Sequence, residues 1–165
     1  MRDAVLRELR GGLWHTIHPD RFEMILQTTA FLPEPAIPDA ERWSTRNGPR
    51  HYPYVRLIGG VSLFDFEGFD PEEYRGKYPM SSWTYLVPYQ RDWRAAVWIE
   101  IDRHLVAQNI ISSRDLSEQQ SAAGALYHKR MPEIEVAHSG PLSKSAFKRA
   151  LLVREGDREV RILAY

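Results

Sequence analysis

Two glutamates, Glu133 and Glu135, stand two residues apart in the segment Pro132-Glu133-Ile134-Glu135-Val136. On a β-strand, residues i and i+2 share one face, with their α-carbons about 6–7 Å apart. Two carboxylates that line a cleft at this separation repel each other, which raises the pKa of at least one of them. Such a pair can hold a substrate hydroxyl or stabilise developing positive charge. On a solvated face, the same two side chains are ordinary surface charges.

A histidine and a threonine, His15 and Thr16, follow Trp14 on a short predicted strand that leads directly into a helix. A single histidine on a strand is more often structural than catalytic. His15 and His18 are three residues apart, a spacing at which two histidines on a helix can share a metal ion. Here Pro19 separates the strand that carries His15 from the helix that follows it.

A serine and two aromatic side chains share one face of a third segment, Gly60-Val61-Ser62-Leu63 and its continuation. On a strand, Ser62, Phe64 and Phe66 point to the same side, opposite Val61 and Leu63. A glycine at the start of the segment permits close backbone approach. The segment is either one wall of a binding cleft or an ordinary core strand.

A proline-rich arm, residues 31–54, contains five prolines and Asn47-Gly48, which interrupt any helical or strand period. Loops of this length in small domains are usually functional or mobile. Arg46, Arg50 and Arg56 flank the arm, and arginines bind phosphate oxygens well. The arm is therefore a candidate lid over a phosphate-bearing ligand, although its arginines can equally serve only to solubilise a surface loop.

Patterns of apolar and polar residues predict the elements that would position these side chains. Helices are predicted before Gly11-Gly12, from Pro19, at 70–73, at 102–110 and at 117–126, with a helical turn at 143–147. Strands are predicted at Leu13–Ile17, 59–66, 84–89, Ala95–Ile101, 132–138, 149–154 and 159–165. Because strands and helices mix without a regular βαβα alternation, we expect an α+β fold with mostly antiparallel pairing and flanking helices.

Composition limits the possible classes of protein. The 165 residues form one expected domain, 1–165, with 22 basic and 22 acidic side chains and no cysteine. Disulfides, thiolate metal sites and a thiol nucleophile are therefore excluded. The neutral charge balance disfavours a broad grip on duplex nucleic acid. The longest apolar run, Ala95 to Ile99, is far short of a membrane span, so we expect a cytoplasmic protein without membrane contact.

The order of the three motifs resembles the ADP-ribosyltransferase superfamily, in the branch with a histidine in its first motif and in bacterial DarT-like and related toxin domains. Leu13-Trp14-His15-Thr16 and the helix after it resemble the first motif, and Gly60-Val61-Ser62-Leu63 resembles the second. Pro132-Glu133-Ile134-Glu135-Val136 resembles the third. Phe64 and Asp65 depart from the pattern, because relatives often have Thr-Arg or Thr-Asp at these positions.

The resemblance runs loosely over residues 13–153 and implies an ADP-ribosyltransferase-like fold of split antiparallel sheets. It implies an NAD-dependent mono-ADP-ribosyltransferase, or an NAD glycohydrolase with water as the acceptor, that cleaves the nicotinamide–ribose bond. NAD would be the substrate, and the acceptor would be a protein, a nucleic acid or water. A bacterial toxin or defence effector of this kind would have an antitoxin or immunity protein as a partner.

Residue roles carried over from the resemblance concern both the cofactor and the chemistry. His15 and Thr16 would hold the adenosine ribose and the nicotinamide amide, and Ser62 would brace the cleft. Phe64 or Phe66 would pack on the nicotinamide ring. The later glutamate of the pair, Glu135, would be catalytic, and Glu133 would orient or deprotonate the nucleophile. Arg46, Arg50 and Arg56 would meet the phosphates.

Three other interpretations of the sequence stay open. A metal-dependent hydrolase or nuclease would use His15, His18 and a carboxylate. An RNA 2′-phosphotransferase-like enzyme, related by fold, relies on arginines and histidines where this chain has Glu133 and Glu135. A non-catalytic binding module would use the five tryptophans and eight tyrosines to stack bases or anchor a partner, although most such aromatics pack the core.

Overall fold

An antiparallel sheet runs through the middle of the molecule, in a computed structural model that describes residues 1–42, 45 and 48–165. Within these residues the strands are β1 (Leu13–Ile17), β2 (Ala30–Phe31), β3 (Gly60–Asp65), β4 (Ala95–Ile101), β5 (Ile110–Ile111), β6 (Glu135–Ser139), β7 (Leu142–Ser143), β8 (Phe147–Arg154) and β9 (Arg161–Leu163). Seven of them form one sheet in the order β5-β6-β3-β1-β4-β8-β9, and β2 pairs with β7. Every strand pair in the described residues is antiparallel.

Six α-helices flank the sheet within the described residues. They are α1 (Arg2–Leu9), α2 (Pro19–Leu26), α3 (Tyr54–Leu57), α4 (Pro71–Lys77), α5 (Arg103–Val106) and α6 (Ser113–Ala122). Their starts follow local chemistry: Asp70 caps α4 by accepting hydrogen bonds from two backbone amides of its first turn, and Pro71 takes the first position. None of the helices described has the length and apolar character needed to cross a bilayer.

Both faces of the sheet are buried because its central strands carry apolar side chains on both sides. Along β4, Trp98 points into one core and Val97 and Ile99 point into the other. The first core is closed by α1, α4 and residues 82–89, and the second by α2 and the β2–β7 pair. The chain is thus a single α+β domain with a mostly antiparallel sheet and flanking helices, as the sequence predicts.

The sheet opens between β1 and β3. These two strands pair only at Leu13 with Asp65 and at Trp14 with Phe64. By contrast, β1 pairs with β4 along its whole length, and β3 pairs with β6 over five positions. The ladder therefore ends after Trp14, and the remaining halves of β1 and β3 form the two sides of a gap in the sheet.

Several predicted elements differ from the structure. The helix expected at 102–110 is α-helical only over Arg103–Val106, and Ile110 already belongs to β5. Residues 84–89 do not form a strand: Ser82–Tyr85 is a 3₁₀ turn, and Trp83, Leu86 and Val87 are buried at helical spacing. Helix α6 ends at Ala122, about one turn earlier than expected, because Gly124 adopts a left-handed conformation with φ 61°. The predicted strand 132–138 begins only at Glu135, because Glu133 has φ 62° and lies in a turn.

Candidate active site

A cavity of about 550 Å³ occupies the gap between β1 and β3. His15, Thr16 and Ile17 line it from β1, and residues 60–62 together with Phe64 line it from β3. The proline-rich arm covers one side, mainly through apolar residues between Phe31 and Pro38. A volume of this size is typical of sites that bind small organic ligands.

Glu135, the first residue of β6, lies in the wall of this cavity and is 1% exposed. The Ser62 hydroxyl donates a hydrogen bond to its Oε1 at 2.6 Å, and the Met131 backbone amide donates to its Oε2 at 2.8 Å. Both oxygens are therefore held, and the carboxyl group has a fixed orientation. The sequence motifs that carry Ser62 and Glu135 meet here across the β3–β6 ladder.

Burial has the largest influence on the pKa of Glu135. Loss of solvation raises the pKa of this carboxyl above its ordinary value of 4.5. The hydrogen bonds from Ser62 and Met131 and the positive charge of Arg130 lower the pKa, but their effect is smaller. A carboxyl group with a raised pKa in a cavity is a common feature of catalytic sites.

Glu133 lies elsewhere. Its left-handed backbone turns the side chain away from the strand face that carries Glu135, so the expected same-face pair of carboxylates is not formed. Its carboxylate pairs with Lys77 and accepts a hydrogen bond from the Tyr78 hydroxyl at 3.0 Å. The Lys77 ammonium lowers the pKa of Glu133. Glu133 and Tyr74 both line a separate small pocket of about 100 Å³.

His15 is partly buried in the other wall of the cavity. Its Nδ1 lies 2.8 Å from the backbone carbonyl oxygen of Ser62, and its ring contacts Phe31 with 4.6 Å between centroids. A carbonyl oxygen only accepts hydrogen bonds, so Nδ1 carries a proton and Nε2 of the neutral ring is an acceptor. Burial lowers the pKa of His15 below 6.5, which favours this neutral form.

Thr16 and Phe64 also line the cavity, but Phe66 does not. The Thr16 hydroxyl oxygen is buried and has no hydrogen-bond partner among the described residues. Phe64 packs against Phe66 and Trp98 at its inner side, with centroid distances of 5.6 and 5.3 Å. Phe66 itself is 1% exposed within the core, so of the two candidate rings only Phe64 reaches the cavity.

The three arginines selected from the sequence have different locations. Arg56, on α3 just after the arm, lines the cavity and pairs with Glu34 and Asp39. Arg50 is exposed on the 3₁₀ turn Pro49–His51 and does not line it. Arg46 lies outside the described residues. The arm contributes mainly apolar residues to the cavity wall, and its closure over a ligand as a lid stays a prediction.

Further polar residues that no sequence motif indicated line the cavity, among them Arg21, Arg42 and Gln90. Trp93, one of the five tryptophans considered for a binding module, lines it as well. The Gln90 side-chain oxygen is buried and has no partner among the described residues, so it can accept a hydrogen bond from a ligand amide or amine. Trp93 contacts the His18 ring edge-on at 5.7 Å. No motif contains Gln90 or Trp93, because both lie in the short connection between the segments predicted as strands, 84–89 and Ala95–Ile101.

The residues considered for a metal site are not gathered at one point. His18 accepts a hydrogen bond from the Asp20 backbone amide at the start of α2 and does not line the cavity with His15. Over residues 1–42, 45 and 48–165, no group of three or more histidine, aspartate or glutamate side chains has a geometry suited to a metal ion.

Comparisons with known proteins add no relative. No protein-family model, curated protein sequence or solved structure matches this chain. The function is therefore inferred from the cavity and its residues.

Proposed function

We propose that this chain is an NAD-dependent enzyme of the ADP-ribosyltransferase type, which cleaves the nicotinamide–ribose bond and passes ADP-ribose to an acceptor or to water. The observation that carries the proposal is the buried, hydrogen-bonded Glu135 in the wall of a 550 Å³ cavity. The same cavity is lined by His15, Thr16 and Ser62, which belong to the other two motifs of the resemblance.

The bond cleavage calls for a fixed negative charge beside the ribose. When the C–N bond breaks, its electron pair leaves with nicotinamide, and the positive charge of the pyridinium ring passes to the ribose, as in glycoside cleavage. The acceptor oxygen then bonds to the ribose carbon and releases its proton to the solvent. The Glu135 carboxylate would stabilise the ribose charge and accept a hydrogen bond from a ribose hydroxyl, which contributes about 10²–10³ in rate.

Other cavity residues match the parts of a dinucleotide. Phe64 offers an aromatic surface for a ring. The Thr16 hydroxyl and the Gln90 side-chain oxygen, which have no partner within the part of the chain that the structure describes, offer polar contacts. His15 offers Nε2 as an acceptor for a ribose hydroxyl. The apolar arm limits the access of water, which strengthens electrostatic interactions within the cavity. Glu133 has no part in this proposal, because its side chain lies outside the cavity.

Release of nicotinamide from NAD by the purified protein tests the proposal. We expect turnover with water or an added acceptor, and a loss of about 10²–10³ in kcat for Glu135→Gln. The variant preserves the shape of the site, because its carbonyl oxygen can accept from the Met131 amide while its NH₂ donates to Ser62.

Glu133→Gln is a matched control, because this glutamate is two residues away and outside the cavity. We expect its activity to stay within about twofold of the unsubstituted protein, since surface substitutions usually have small effects. Absence of both nicotinamide release and NAD binding would refute the proposed function.

A second candidate function is the binding of an uncharged, largely apolar small molecule. It is favoured by the apolar arm residues in the cavity wall and by the pairing of Arg21, Arg42 and Arg56 with carboxylates of the same arm. This function predicts that an apolar fluorescent probe binds in the cavity and that neither NAD nor ADP-ribose displaces it.

A further inference from the structure

Two arginines of the cavity wall share one carboxylate of the arm. Glu34 Oε1 lies 2.7 Å from Arg56 Nε, and Glu34 Oε2 lies 3.0 Å from Arg56 Nη2 and 2.7 Å from Arg42 Nη1. Arg56 also pairs with Asp39 at 2.9 Å, and its guanidinium lies over the Tyr52 ring at 3.6 Å. Glu34 is thus the centre of a two-arginine site.

The burial of the three side chains is unequal. The side chains of Arg42 and Arg56 are 15% and 11% exposed, and both residues line the cavity. The Glu34 side chain is 55% exposed and is not part of the cavity wall. The two arginines next to the cavity are therefore paired with two arm carboxylates, Glu34 and Asp39, and the one that both arginines share, Glu34, is the more exposed.

Phosphate has the chemistry to replace that carboxylate. A guanidinium fork binds two oxygens of a phosphate or of a carboxylate in the same bidentate geometry. A pyrophosphate carries two negative charges, whereas Glu34 carries one. Because Glu34 is half exposed, its release into water costs little, as it does for other ion pairs near the surface.

We propose that Arg42 and Arg56 form a phosphate-binding subsite, and that Glu34 is an internal competitor which a pyrophosphate-bearing ligand displaces. This inference rests on the proposed function, because it assigns the dinucleotide phosphates to a pair of arginines. It also explains how a cavity whose arginines are paired accepts an anionic ligand. Because the ligand must displace Glu34, a higher ligand concentration is needed to occupy the subsite.

Calorimetric titration of Glu34→Gln with ADP-ribose and with adenosine tests the subsite. Without the competing charge, ADP-ribose should bind about three- to tenfold more tightly than to the unsubstituted protein. Adenosine has no phosphate, so its affinity should be unchanged. Glu118→Gln is the matched control, because it removes a carboxylate paired with Arg114 on the exposed face of α6 and should change neither affinity.

Three results would contradict the subsite. They are unchanged affinity of Glu34→Gln for ADP-ribose, weaker affinity for ADP-ribose, and an equal gain for ADP-ribose and adenosine, which would indicate a general loosening of the arm. Any of them leaves the proposed function standing as long as ADP-ribose binds the unsubstituted protein. If neither protein binds ADP-ribose, both the subsite and the proposed function fail.

If Glu34→Gln does not fold, Arg42→Gln provides a second test of the subsite. Loss of this arginine should weaken ADP-ribose binding about tenfold and leave adenosine binding unchanged. Equal affinity of Arg42→Gln and the unsubstituted protein for ADP-ribose would overturn the subsite.

Discussion

At the scale of single residues, burial of the Glu135 carboxyl group lowers the stability of the folded state. It is fully buried and is held by two neutral donors rather than by direct contact with a cation. A buried carboxylate in such surroundings is more easily explained by function than by stability, because the folded state gains little from the charge. Ser62 reduces the cost by donating a hydrogen bond to the charged form.

Ser62 should act as a positioning residue that tunes Glu135. In Ser62→Ala, Glu135 loses a hydrogen bond that favours its ionised form, so its already raised pKa should rise further. Activity that needs the carboxylate should then begin at higher pH. We expect the acidic limb of the pH profile for kcat to move upward by about one pH unit, which corresponds to about 1.4 kcal/mol.

The pH profile separates this role from a general structural one. Ser121→Ala is a suitable control, because the Ser121 hydroxyl donates to the Ser117 carbonyl on α6, away from the cavity. Its acidic limb should coincide with that of the unsubstituted protein. A Ser62→Ala variant with lower kcat but an unshifted acidic limb would show that Ser62 does not tune the pKa of Glu135.

At the scale of elements, the start of β1 depends on a glycine that leaves room for tryptophan. The Trp14 ring is fully buried, and its Nε1 donates to the Leu9 carbonyl at 2.9 Å, which ties β1 to the end of α1. A Cβ on Gly12 would lie 2.2 Å from that Nε1. Close approach of a ring, rather than a special backbone angle, requires glycine here.

Two glycine-to-alanine variants should therefore have opposite effects. Gly12→Ala forces Trp14 out of its position and should lower the free energy of unfolding by about 2–4 kcal/mol, as other overpacked or displaced core groups do. Gly76→Ala, inside α4 with open space around the added Cβ, should raise it by about 0.5–1 kcal/mol. Urea unfolding of both variants measures the difference, and equal effects would refute this explanation.

Strand patterns carried most of what the sequence could predict about these elements. Short runs rich in apolar residues predicted β1 and β4 to the residue and β3 to within one residue, because each of these strands is buried on both faces. The segment 84–89 has a similar alternation, yet it folds over the first core in a turn, with the Pro88 carbonyl accepting a hydrogen bond from Trp98 Nε1. Only tertiary contacts distinguish these cases.

The candidate site was predictable to the extent that its motifs lie on strands. His15, Ser62 and Glu135 line one cavity because β1, β3 and β6 are neighbours in the sheet. Glu133 was placed on the same face as Glu135 because a left-handed backbone at a glutamate has no sequence signal. Arg42 was missed because its importance comes from sharing Glu34 with Arg56, a contact between distant parts of the arm.

At the scale of the whole molecule, buried ionisable groups at the cavity link stability to pH. The folded-state pKa of His15 is lowered below 6.5, so the unfolded chain binds a proton that the folded chain does not. Stability from this group is complete above pH 6.5 and is lost as the pH falls toward the folded pKa. Glu135 behaves oppositely: its folded pKa is raised above 4.5, so stability is lost as the pH rises through it.

These opposite slopes should appear in variants measured between pH 4.5 and 7.5. His15→Gln removes the group that lowers stability at acid pH. Its free energy of unfolding, relative to that of the unsubstituted protein, should therefore rise as the pH falls below 6.5. Glu135→Gln should be relatively most stable near pH 7.5 and lose that advantage toward pH 4.5. Carboxylates with lowered pKa, such as Glu34 and Glu133, affect stability mainly below pH 4.5 and are common to all three proteins.

Urea unfolding at several pH values measures these differences in the free energy of unfolding directly. Parallel curves for the three proteins would mean that neither group is buried as the cavity requires, which would remove the physical basis of the proposed site.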